Sequence, residues 1–112
     1  MPYPLALAIT LTVEVPVYTA FLLAARLARG WRLVAAAIGV NLATHPLVWL
    51  ALSGAGPAYW PIFVVVELAA WLAESALLYF LLVRRDARLI ALVALVANCA
   101  STLAGLLLWR TP

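Results

Sequence analysis

Between Val64 and Ser75 the chain reads VVVELAAWLAES, an apolar run that carries two carboxylic acids, Glu67 and Glu74. Seven residues make nearly two helical turns, so both acids fall on almost one face, roughly 10 Å apart along the axis. A charged side chain at the centre of a bilayer costs on the order of 2.5–3.5 kcal/mol even on lenient insertion scales. Two on one stripe therefore require polar partners inside the protein. Each other apolar segment supplies some: Glu14 in the first, Asn41 and His45 in the second, Asn98 in the last. The pattern predicts an all-α integral membrane protein, with four transmembrane helices in an up-down-up-down bundle forming a single domain over 1–112.

Composition excludes the other broad classes. A chain of 112 residues that is 69% hydrophobic and 10% charged has too much apolar surface to hide in a soluble core. The seven basic residues are all arginines, set in short clusters at segment ends. No basic face is interleaved with aromatics, which argues against nucleic acid as a partner. The lone Cys99 excludes an internal disulfide and a multi-cysteine metal motif, and it reads as a small packing residue. Absence of lysine beside abundant Ala, Leu, Val and Arg has the look of GC-rich bacterial coding, which suggests a bacterial cytoplasmic membrane.

The spans are expected at about 4–28, 31–52, 59–83 and 89–109. The first is too long and lacks the basic start of a cleaved signal peptide. In it Thr10 and Tyr18 lie one turn either side of Glu14, and Pro16 releases the carbonyl of Thr12 from its helical bond. Arg29-Gly30 reads as a tight turn. In the second span Asn41 and His45 share a face with Thr44 beside them, and Pro46 releases the carbonyl of Leu42. The loop SGAGPA follows, then Tyr59, Trp60 and Pro61 open the third span, with Tyr3, Tyr59, Trp60 and Trp109 as interface anchors. Trp71 is one turn from both Glu67 and Glu74, a spacing that lets its N–H donate to either. In the last span Asn98, Ser101, Thr102 and Gly105 follow helical spacing, as close helix packing in lipid uses.

Arginine placement sets an orientation. Arg26, Arg29 and Arg32 flank the first connector, and Arg84, Arg85 and Arg88 the third; the second has none, and Arg110 stands alone near the end. The positive-inside rule puts connectors one and three in the cytoplasm and both ends of the chain outside. Helical rise then places His45 and Glu67 roughly 10 Å below the outer surface, Glu14, Asn41 and Asn98 roughly 15 Å, and Glu74 roughly 20 Å. The polar groups form a ladder that stops short of the cytoplasmic arginines, which suggests a vestibule open outside and closed inside.

Three glutamates in a low dielectric cannot all carry charge without a partner. They are protonated and hydrogen-bonded to Asn41, Asn98, Trp71 and the freed carbonyls, or one is paired with His45, or a cation sits among them. A cation- or proton-binding set of Glu14, His45, Glu67 and Glu74 follows, with Asn41, Asn98, Trp71 and Tyr18 in support. His45, Glu14 and Glu67 are the candidate ligands if the cation is a divalent metal such as Zn, Mn or Fe. The E-x-x-H spacing of carboxylate-bridged bundle sites is absent. The plainer alternative is that these groups are neutral and only hold helices together.

In length, helix count and the glutamate at position 14, the chain is similar to the small multidrug resistance transporters. It departs from them around that acid, where it reads TVEVPVY without the small-residue and lysine context. It departs again in the third span, where two extra acids replace a glycine-rich, tryptophan-centred motif. No residue role is carried over. The expected function is a cation- or proton-coupled transporter, or an ion-binding membrane protein. The lipid bilayer and a small cation or proton-coupled solute would be its partners. The alternatives are a metal-dependent intramembrane enzyme acting on a lipid-soluble substrate, and a structural subunit or homo-oligomer within a larger membrane complex. No nucleophile or phosphate-binding signature supports a named reaction.

Overall fold

The computed structural model describes residues 2–108. Helix α1 spans Tyr3–Ala24, α2 Gly30–Ser53, α3 Tyr59–Leu78 and α4 Ala87–Leu108. A short 3-10 turn, Gly56–Ala58, precedes α3, and a π turn, Tyr79–Val83, follows it. Among the described residues there is no strand. Trp109 and Arg110 lie outside the described residues. All four helices are long and apolar enough to cross a membrane, and at most 33% of the most apolar stretch of any one is buried within the protein. Each helix packs on its neighbours in sequence, and α1 closes the ring against α4.

The helix ends follow local chemistry. The first helix stops four residues earlier than the apolar run predicts, and the turn lies at Ala25–Arg29 rather than at Arg29-Gly30. Arg26 adopts a left-handed conformation (φ 59°). Its N–H reaches the carbonyl of Leu23, and the N–H of Leu27 reaches that of Leu22 at 2.9 Å. This pair of reversed bonds closes a helix C-terminus, and the flanking Leu22 and Leu27 are both buried. Glycine is the usual residue there, so nothing in the arginine's identity announces the stop. At the other arginine-bearing end, Arg84 (φ 56°) caps the π turn, its N–H bonding the carbonyl of Tyr79 at 2.7 Å. Arg85 donates to the carbonyl of Arg26, tying connectors one and three together. Both prolines are accommodated within continuous helices.

The interior has two zones. Toward the arginine-bearing end it is apolar and packed, with Leu22, Leu33, Leu78 and Ile90 essentially inaccessible. Toward the arginine-free connector the helices enclose a cavity of about 570 Å³. Outward faces carry large apolar side chains, among them Leu42, Leu47, Leu68, Leu72 and Leu92. Cys99 belongs with them: it is exposed, because its position on α4 points away from the ring, and it packs no core.

Candidate functional site

All three helix-borne glutamates, with Asn41, His45 and Asn98, line the same cavity. Its wall begins at exposed Ser53, Gly56 and Trp60, at the arginine-free end, and reaches Glu74 deep in the bundle. Leu78, one turn beyond Glu74 on the same helix face, does not line the cavity but belongs to the apolar cluster beneath it.

Glu74 is 2% exposed and is surrounded by donors. The Tyr18 hydroxyl donates to its Oε1 at 2.6 Å. Asn98 Nδ2 donates to the same oxygen at 3.3 Å, and the Thr44 hydroxyl lies 2.8 Å from Oε2. Partners thus come from α1, α2 and α4 onto one carboxyl of α3. Glu14, also 2% exposed, has Ser101 Oγ of α4 at 2.5 Å from its Oε2. Its Oε1 is buried with no N–H or O–H donor, and it faces the carboxyl of Glu74. Glu67, nearer the mouth, is only half-buried and takes a longer bond of 3.3 Å from Thr102.

The two hydroxyls beside Glu74 and Glu14 share a property. Thr44 Oγ1 sits 2.9 Å from the carbonyl of Val40 as well as 2.8 Å from Glu74. Ser101 Oγ sits 3.1 Å from the carbonyl of Asn98 as well as 2.5 Å from Glu14. A hydroxyl has one proton to give and lone pairs to receive. Facing a carboxylate, it donates to the carboxylate. Facing a carboxylic acid, it accepts from the acid and turns its own proton to its helix's carbonyl. Either protonation state of Glu14 and Glu74 therefore leaves these contacts hydrogen-bonded. The same local sequence recurs on both helices, Asn41-x-x-Thr44 and Asn98-x-x-Ser101. Each asparagine anchors its Nδ2 on the carbonyl four residues back, Ala37 and Ala94 respectively, at 2.8 Å.

Several expectations change. Trp71 donates to neither glutamate: its Nε1 bonds the carbonyl of Ala91 on α4 at 2.7 Å. On a helical wheel it sits about 40° from Glu67 and about 60° from Glu74, on the flank that meets α4, and its long indole reaches that helix first. His45 pairs with no acid; its ring lies 5.4 Å from that of Tyr3, and its Nδ1 is buried without a partner. Tyr3 packs on both His45 and Trp49. The stripe Asn98, Ser101, Thr102 and Gly105 lines the cavity instead of a tight helix seam. A methyl group at Gly105 would meet no neighbour within 4 Å. Sequence pattern does not identify Thr44, Ser101 and Thr102 as carboxyl partners. Serine and threonine in a helix ordinarily bond their own backbone, and only the facing helix reveals the second partner.

Among the described residues, no three of His, Cys, Asp and Glu group closely enough to hold a metal ion. Comparisons with protein-family models, with curated proteins and with solved structures find no match.

Proposed function

We propose that this chain spans a bilayer, a bacterial cytoplasmic membrane by its coding bias, as an up-down-up-down bundle that exchanges a small cation for a proton at Glu14 and Glu74. The arginine-bearing connectors face the cytoplasm and the cavity opens to the outer side. His45 and Glu67 form the mouth; Tyr18 and Asn98 hold Glu74 in place. The outward leucines and valines face lipid, an environment in which they need no protein cover.

The observation that carries this reading is the pair of hydroxyls with two acceptors each. Polar groups that merely bind helices together need only one arrangement. A site that gains and loses a proton needs partners suited to both states, and Thr44 and Ser101 are such partners. Two charged carboxylates side by side repel. In the unloaded site one proton or more stays with the pair, and an arriving cation takes its place.

Protein purified in weakly buffered detergent, challenged with sodium, potassium, manganese, zinc, methylammonium and tetramethylammonium salts, should release protons to at least one of them. Glu14→Gln and Glu74→Gln should release none. Silence of the wild type to the whole panel overturns the proposal. In the same assay Thr44→Val, which keeps the shape and removes the hydroxyl, should weaken the responding cation by about tenfold or more, the value of a hydrogen bond to a charged group. Thr44→Ser should restore it.

Orientation is tested by single cysteines in a Cys99→Ser background. A membrane-impermeant maleimide added to spheroplasts should label Gly54→Cys at once and Arg85→Cys only after permeabilisation. The reverse order contradicts the assignment of sides.

A further inference from the structure

The cavity is far larger than an inorganic ion needs. At about 570 Å³ it lies in the range of small-molecule pockets, roughly 300–1,000 Å³. The Glu14 and Glu74 carboxyls and the two amides lie at the deep end, Glu67 and His45 lie nearer the mouth, and Trp49, Tyr59, Trp60 and Phe63 line the end near the arginine-free connector. Tyr59 and Phe63 stack at 6.0 Å, and Trp60 meets Phe63 edge-on at 5.6 Å, so this wall is itself a packed aromatic cluster.

The deep end holds unanswered acceptors. Asn41 Oδ1 is buried without a hydrogen-bond donor on a residue 0% exposed, and Glu14 Oε1, on a residue 2% exposed, has only the neighbouring Glu74 carboxyl and the proton the pair shares before a ligand arrives. The amide orientation of Asn41 is fixed, because its Nδ2 is engaged by the Ala37 carbonyl, which leaves the oxygen as the free end. His45 Nδ1, buried and unpartnered, lines the same space. A buried acceptor without a donor is costly, and the number and kind of such atoms describe the complement they require. Here the complement has a positive charge for the carboxyls and several N–H donors for separate acceptors. It also has an apolar body for the aromatic wall.

We infer that the ligand of this site is a protonated primary amine with an apolar tail, its ammonium donating to Glu14 Oε1 and Asn41 Oδ1 and its tail directed along the cavity toward Trp49, Tyr59, Trp60 and Phe63. The inference rests on the proposed cation–proton exchange and narrows it. A proton leaves the Glu14 and Glu74 pair as the ammonium enters, so charge in the site is conserved. A quaternary ammonium carries the same charge and tail but no N–H. A bare metal ion accepts lone pairs but leaves the aromatic wall unused.

The test compares n-butylammonium with n-butyltrimethylammonium, following tryptophan fluorescence and proton release of the detergent-purified protein. The primary amine should bind roughly tenfold to a hundredfold more tightly, the worth of charge-assisted donors lost on methylation. Asn41→Leu should reduce that preference by about tenfold or more, and Asn41→Asp should keep it. Equal binding of the two amines, or a preference unchanged in Asn41→Leu, overturns the inference. Proton release to sodium, potassium, manganese or zinc with none to either amine also overturns it, while leaving cation exchange in place. If Asn41→Leu does not fold, the wild-type comparison of the two amines decides alone.

Discussion

Glu74→Gln should fold as well as the wild type and exchange nothing. The glutamine keeps Oε1 as acceptor for Tyr18 and Asn98, and its new N–H donates where Oε2 stood, to Thr44. Thr44 then turns its proton to Val40, which is already at 2.9 Å. The substitution is thus a permanent copy of the protonated acid, and its unfolding free energy should stay within about 0.5 kcal/mol of wild type, as for a change that strands no group. Glu74→Leu is different. Thr44 and Asn98 have backbone carbonyls to fall back on, but the Tyr18 hydroxyl, wholly buried, loses the carboxyl that accepts its proton. That stranded donor should cost about 1–3 kcal/mol. Denaturation in mixed detergent micelles measures both, and cation-driven proton movement in dye-loaded proteoliposomes measures the loss of function. A stable Glu74→Gln that still exchanges protons would remove this residue from the mechanism.

Leu78→Ala should breach the apolar layer beneath the cavity. Leu78 is fully buried directly beneath Glu74, and the apolar cluster it belongs to is what separates the cavity from the arginine-bearing end. Removing its branched end from a packed interior should cost about 2–5 kcal/mol, whereas the volume-conserving Leu78→Met should cost under about 1.5 kcal/mol. Proteoliposomes with Leu78→Ala should dissipate a proton gradient without any added cation, and those with Leu78→Met should hold it. An alanine variant as tight as wild type would place the barrier elsewhere.

Much of this architecture is legible in the amino-acid sequence, for a plain reason. Four apolar runs of spanning length, broken by arginine clusters and one glycine-rich loop, admit few arrangements. The α-helix bounds agree closely except at the ends of α1 and α3. In α1 the stop depends on Arg26 taking a backbone conformation that its side chain does not advertise. The π turn after Leu78 leaves no mark in composition either. Within the interior, Glu14, Tyr18, Glu74 and Asn98 stand out because a mid-span polar residue is expensive in lipid and must meet another, and these four do lie together. Trp71 shows the limit of that logic. Helical spacing places it within a turn of two acids, but partner choice turns on about 40–60° of helix rotation, which packing decides. Thr44 and Ser101 show a second limit. Their spacing from Asn41 and Asn98 is visible, but the carboxyls they face belong to other helices, and no pattern within one segment encodes that pairing.

Central to the proposed exchange is a proton held by the Glu14 and Glu74 pair and displaced when a cation enters. Infrared difference spectroscopy of the lipid-reconstituted protein, recorded as n-butylammonium is washed in and out, reads that proton directly. Loss of a protonated-carboxyl C=O band with matching gain of carboxylate bands is predicted, reversible on washing and absent from the Glu14→Gln, Glu74→Gln double variant. Bound amine with no change in either carboxyl band, or the same change in the double variant, would contradict it.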